Sequence, residues 1–221
     1  LDFNWIVKGI YVSLFFYLST LLTKIIFGGD RVILGNISDV DDLAIYGLYS
    51  AITFGIYAFL EPLVYSFSYQ KLIKYVDSQS VLQYKKELLF MVKSASLFCF
   101  IATLVLFGVI DYLLLWINKV EYIRSKNIIY ILNFAALFWS LSMIPHYILY
   151  SFSLDKKILL SQFICTMLFV ICLSLFYSYI PEIYLVSYSV LFSFFMLFGI
   201  KSIFAYKKCM VFIRGYNVSA I

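Results

Sequence analysis

Charge is what this 221-residue chain has least of. Only 13% of its residues are Asp, Glu, Lys or Arg, against 64% hydrophobic and 21% aromatic, and the mean hydropathy is +0.96. Soluble domains carry about 25% charged residues, so the composition excludes an ordinary soluble domain. Histidine occurs once and cysteine four times. Three of the cysteines (Cys99, Cys165 and Cys172) lie inside apolar segments, where cysteine acts as a small hydrophobe. No Cys or His spacing suits a metal, and neither a disulfide nor a metal is expected. The chain also lacks a nucleophile elbow, a P-loop, an HExxH motif and a paired-carboxylate glycosidase pattern. Catalysis is therefore the weaker expectation, and no cofactor is implied.

What the chain has instead is apolar length. Six stretches, roughly 5–34, 43–67, 88–117, 127–152, 158–180 and 183–206, are each long enough to cross a hydrocarbon core of about 30 Å. The runs are continuous and do not alternate, which points to helices and not to a barrel. The fold expected is an all-α integral membrane protein, with residues 1–221 forming a single six-helix transmembrane bundle. The start, Leu1-Asp-Phe, has no signal-peptide pattern, and the chain is expected to be the later part of a longer protein.

The formal net charge of +5 is explained by position, not by a nucleic-acid face. Lys8, Lys71, Lys74, Lys85, Lys86, Lys156, Lys157, Lys207, Lys208 and Arg214 fall at the termini and in the second and fourth connections. Lys119, Arg124 and Lys126 fall in the third. Ten against three is a positive-inside bias, so both termini are expected on the cytoplasmic side. Asp39, Asp41, Asp42 and Glu182 then face outward. The basic connection at about 69–87 mixes apolar and charged residues. It reads either as an amphipathic helix on an anionic leaflet or as a solvated loop.

Ionisable residues inside apolar segments mark substrate or ion paths by default. The first segment reads Lys24-Ile-Ile-Phe-Gly-Gly-Asp30-Arg31-Val-Ile-Leu-Gly. On a helix Tyr17, Thr20, Lys24 and Arg31 share one stripe, Thr23 and Asp30 a second, and Asp30 points about 100° away from Arg31. This polar stripe either lines a cavity or, if Gly28-Gly29 ends the helix, leaves interfacial charges with Lys24 snorkelling outward. Glu61, directly before Pro62, reads either as a buried acid that needs a basic partner or a proton, with Lys24, Arg31 and Lys93 as candidates, or as a helix-end acid snorkelling inward. His146, directly after Pro145, reads as a packing residue or as a titrating group. Both prolines are expected to break or kink their helices. Lys93 and Lys201 read as snorkelling lysines near the cytoplasmic ends, and Asp111 as interfacial.

Asp30-Arg31-Val-Ile-Leu-Gly, an acidic outward loop, and Ile45-Tyr46-Gly47-Leu48-Tyr49 together resemble a pattern, D-R-x-x-L-G … G-x-Y. That pattern opens the C-terminal lobe of the polysaccharide flippases, the O-antigen and exopolysaccharide transporters of the multidrug/oligosaccharidyl-lipid/polysaccharide (MOP) superfamily. Ile144-Pro145…Leu149-Tyr-Ser-Phe-Ser-Leu-Asp155-Lys156-Lys157 is similar to a helix, basic turn and next helix of the same lobe. The chain departs from that lobe at Tyr65-Ser-Phe-Ser-Tyr-Gln-Lys, where the family often has proline, and at Tyr184-Leu-Val-Ser-Tyr-Ser. The resemblance implies one lobe of a two-lobed, non-enzymatic transporter in the bacterial inner membrane. Its substrate would be an undecaprenyl-pyrophosphate-linked oligosaccharide, flipped outward by alternating access for surface polysaccharide synthesis. Lys24 and Arg31 would meet the pyrophosphate, and Asp30, Glu61 or His146 would couple an ion gradient. The other partners implied are membrane lipids, the N-terminal lobe or a second subunit, and polysaccharide polymerase machinery. Two other classes remain: a membrane polymerase or glycosyltransferase of the same pathway, and a multidrug exporter of the same superfamily.

Overall fold

The chain folds as a succession of long helices joined by short turns. The computed structural model describes residues 3–219, with side-chain surroundings for residues 3, 9–10 and 13–213; the side chains of Lys8 and Arg214 lie outside these. The order is α1 (Phe3–Ile37), α2 (Val40–Ala58), a π-helical turn (Glu61–Tyr65), α3 (Ser66–Asp77), α4 (Val81–Ile117), α5 (Val120–Arg124), α6 (Lys126–Ser151), α7 (Asp155–Phe176) and α8 (Glu182–Ser219). The fold is 92% helix, and no strand occurs among the described residues. Five helical stretches are long and apolar enough to cross a membrane: Val40–Asp77, Val81–Ile117, Lys126–Ser151, Asp155–Phe176 and Glu182–Ile213. The remaining expected segment corresponds to α1, whose side chains at 4–8 and 11–12 lie outside the described residues, and it is not part of that count.

Local chemistry explains the boundaries. α2 starts at Asp39, whose carboxylate accepts from the Asp42 amide at 2.8 Å, a capping bond of the usual kind. α4 stops at Asn118, held left-handed at φ 54°, a conformation asparagine tolerates better than most residues. Pro62 has no amide hydrogen to donate, and the ladder absorbs the loss by widening to a π-helical turn instead of breaking. Pro145 differs from expectation: α6 runs through it to Ser151 without interruption, and its ring is buried. Gly28-Gly29 does not end α1 either, which continues eight residues past Gly29 to Ile37.

The basic stretch at 69–87 is not a loop. α3 carries the second segment on to Asp77, a turn of three residues follows, and α4 begins at Val81. Leu72 and Tyr84 are wholly buried there, and Glu87 accepts from Ser68 at 2.9 Å and pairs with Lys71 at 3.4 Å. Apolar anchors on one face of each helix hold the hairpin, so its lysines project from ordered structure.

α6 and α8 form the centre of the bundle. α6 packs on α8, α2 and α3, while α7 lies against α8 and α1. Short turns reverse the chain each time, so the connections 78–80 and 152–154 share one end and 38–39, 118–119 and 177–181 the other. Lys71, Lys74, Lys85, Lys86, Lys156, Lys157, Lys207 and Lys208 gather toward the first end; the Lys157 and Lys208 ammonium groups there lie 5.7 Å from the Phe204 ring centre and 5.4 Å from that of Phe152. The outer surface is apolar: Leu97, Phe100, Leu104 and Val105 along α4, for example, are exposed. Such a surface needs lipid, not water, around it.

Candidate functional site

Two of the polar groups inside the bundle include residues of the α1 stripe, and aromatic rings separate them. The first is a cavity of about 220 Å³ between α1, α6, α7 and α8. α1 lines it with Ser19, Thr20, Thr23 and Lys24, one helical face as the spacing predicts. Thr20 and Lys24 are exposed and mark its open side. α6 contributes Trp139, Met143 and His146, α7 contributes Gln162, and α8 contributes Lys201.

Lys201 is the unexpected member. It is 2% exposed, so it does not snorkel; its Nζ lies 3.4 Å from Nδ1 of His146. An ammonium bonding to Nδ1 leaves the imidazole proton on Nε2. His146 thus packs against a lysine, and not against a carboxylate. The ion pairs found among the described residues, Lys71–Glu87 and Lys126–Asp111, lie elsewhere. Burying a cation without a counter-charge costs several kcal/mol. Gln162, also 2% exposed, leaves its side-chain Nε2 without a partner. Both residues were legible in part: Lys201 is the one charge between Glu182 and Lys207, and Gln162 the one amide in α7.

Phe27, one turn beyond Lys24, packs edge-on to Phe54 and Trp139, each at 4.9 Å between ring centres, and lies 5.1 Å from Phe194. This cluster closes the cavity from the second polar group. There Asp30, 3% exposed, accepts from the Tyr46 hydroxyl at 2.7 Å and from the Arg31 amide at 2.6 Å. The Arg31 guanidinium turns away and donates to Ser50 Oγ at 3.0 Å, as the 100° offset on a helix requires. Arg31 is exposed and is not among the residues lining the cavity that Lys24 lines, so the expected stripe is divided. Tyr17, at its other end, is exposed and outside the cavity lining.

Glu61 finds none of the bases proposed for it. It is exposed on the π-helical turn and accepts from the Tyr147 hydroxyl at 2.6 Å. Tyr147 stacks on Tyr69 at 5.2 Å. Consecutive residues of α6 therefore face two ways, His146 to Lys201 and Tyr147 to Glu61. Lys93 is exposed on α4, and Asp111 pairs with Lys126.

The fold and its polar groups define a class, an all-helical chain patterned as a multi-pass membrane protein with a donor-rich interior cavity. No protein-family model, curated protein or solved structure matches the chain.

Proposed function

We propose that this chain is one lobe of a transporter that flips an undecaprenyl-pyrophosphate-linked oligosaccharide across the bacterial inner membrane by alternating access. The observation that carries the reading is Lys24 on the open side of a polar cavity otherwise enclosed by apolar helices. A pyrophosphate carries several negative charges, and a cation in such low-dielectric surroundings attracts it strongly. Arg31, exposed one aromatic layer away, is the second group on α1 that would follow the substrate. The segregation of lysines toward one end supports six crossings with both termini cytoplasmic. Asp30, Glu61 and His146 remain the candidates for ion coupling. The partners of this reading are the lipid-linked oligosaccharide, membrane lipids, the other lobe or a second subunit, and polysaccharide polymerase machinery.

The cavity's chemistry also weighs against the alternatives. A multidrug exporter would favour an acidic or aromatic cavity, whereas here two lysines line the wall and no carboxylate among the described residues does. A polymerase or lipid-linked glycosyltransferase would carry large outward loops with clustered Arg and Asp. The connection from α4 to α6 is only residues 118–125, five of them the short helix α5. The test is export: Lys24→Ala in the full-length parent is expected to abolish surface polysaccharide in complemented cells, and unimpaired export would overturn the reading.

A further inference from the structure

The cavity between α1, α6, α7 and α8 is built from donors. Lys201 offers two ammonium hydrogens beyond the one directed at His146, and the buried Gln162 amide nitrogen has no partner at all. Lys24 faces them from the open side, and the Thr20 hydroxyl stands beside it. Thr23 Oγ1 uses its own hydrogen on the Ser19 carbonyl at 3.0 Å, so it presents lone pairs and not a donor. Two ammonium groups and an amide spread around one small space fit an ion with several acceptor oxygens better than a single-atom halide. The volume of about 220 Å³ falls below the roughly 300–1,000 Å³ of pockets for drug-sized ligands, so it suits a headgroup and not a sugar chain.

We infer that this cavity binds a phosphoryl oxyanion, held by Lys201, Lys24 and Gln162, with His146 fixing the Lys201 ammonium from behind. The inference rests on the transport reading only for its setting; the site is defined by its own donors. It adds to the basic groups of α1 a lysine of α8 that the α1 stripe does not include. Lys201 acts as a binding residue and His146 as a positioning residue.

The same chemistry is presented by a free phosphate and by a lipid phosphate, and binding to the full-length parent in phosphatidylcholine nanodiscs separates them. Inorganic pyrophosphate and phosphate are titrated in one arm, and phosphatidic acid is built into the disc in the other, with thermal midpoint and calorimetry as readouts. Saturable binding of pyrophosphate identifies a free-anion site, and binding confined to phosphatidic acid identifies a headgroup site; both support the inference. Lys201→Met is expected to weaken binding about tenfold or more, as loss of a charge-assisted bond does. Gln162→Leu, which replaces an unpaired amide with an apolar side chain, is expected to fold well and to weaken it several-fold. No saturable binding in either arm, or undiminished binding in both variants, overturns the site. Export abolished by Lys24→Ala together with undiminished phosphoryl binding in Lys201→Met overturns the site and leaves the transport reading standing. Phosphoryl binding lost in Lys201→Met together with normal export in Lys24→Ala does the reverse.

Discussion

Asp30 keeps a carboxylate inside an apolar bundle by spending both oxygens on donors, the Tyr46 hydroxyl on one and the Arg31 amide on the other. Removing the hydroxyl leaves a buried acceptor short of a bond, which typically costs about 1–3 kcal/mol. Tyr46→Phe is therefore expected to lower the unfolding midpoint in detergent, and an unchanged midpoint would mean that water or another group satisfies Asp30. Helical spacing alone made part of this legible, since Asp30 and Arg31 had to point apart and Thr20 and Lys24 had to share a wall. It could not show Lys201 beside His146, because those partners are 55 residues apart and meet only when α6 packs on α8. Counting residues along α8 put Lys201 near a membrane interface, where lysines snorkel, and nothing within that helix revealed a burial caused by its neighbours. The bond from the Tyr147 hydroxyl to the Glu61 carboxylate was out of reach for the same reason, since Tyr147 lies on another helix.

Continuous hydrophobicity was enough to locate the segments, but not their ends. α3 and α4 extend into the basic stretch, where Leu72, Val81 and Tyr84 are buried, anchors diluted in sequence by the lysines between them. Proline acts at the element scale through its surroundings. Pro62 lies in the π-helical turn between α2 and α3, whereas Pro145 is accommodated within α6. Glycine gives a direct test of which faces are open. A methyl group added at Gly108 of α4 meets no atom within 4 Å. Gly108→Ala is accordingly expected to stabilise the protein by up to about 1 kcal/mol through the helix backbone. Destabilisation measured by thermal melting of the purified protein would show that this face of α4 packs against a partner.

Over the whole molecule, charge and burial arrange themselves along one axis. Lysines crowd the end with the turns 78–80 and 152–154, and carboxylates such as Asp39, Asp41 and Glu182 lie toward the other. On an intact cell, with the four native cysteines replaced, Asp41→Cys and Tyr179→Cys are expected to react with an impermeant maleimide, while Ser78→Cys and Ser153→Cys are protected. The reverse labelling would invert the topology. The bundle-scale architecture was legible because the bilayer restricts a chain of this composition to helices. As a wall, the site was legible only on α1, since its other sides come from three helices, two of which contribute a single residue each, Gln162 and Lys201.

The measurement that bears most directly on the central claim is surface polysaccharide display in deficient cells complemented with the full-length parent carrying Lys24→Ala, Arg31→Ala or Glu61→Gln. Protein levels are checked by blot. The two basic substitutions are expected to abolish display at normal protein levels. Normal display from all three would contradict that claim, leaving these charges as anchors of the helices and not as contacts for a transported anion.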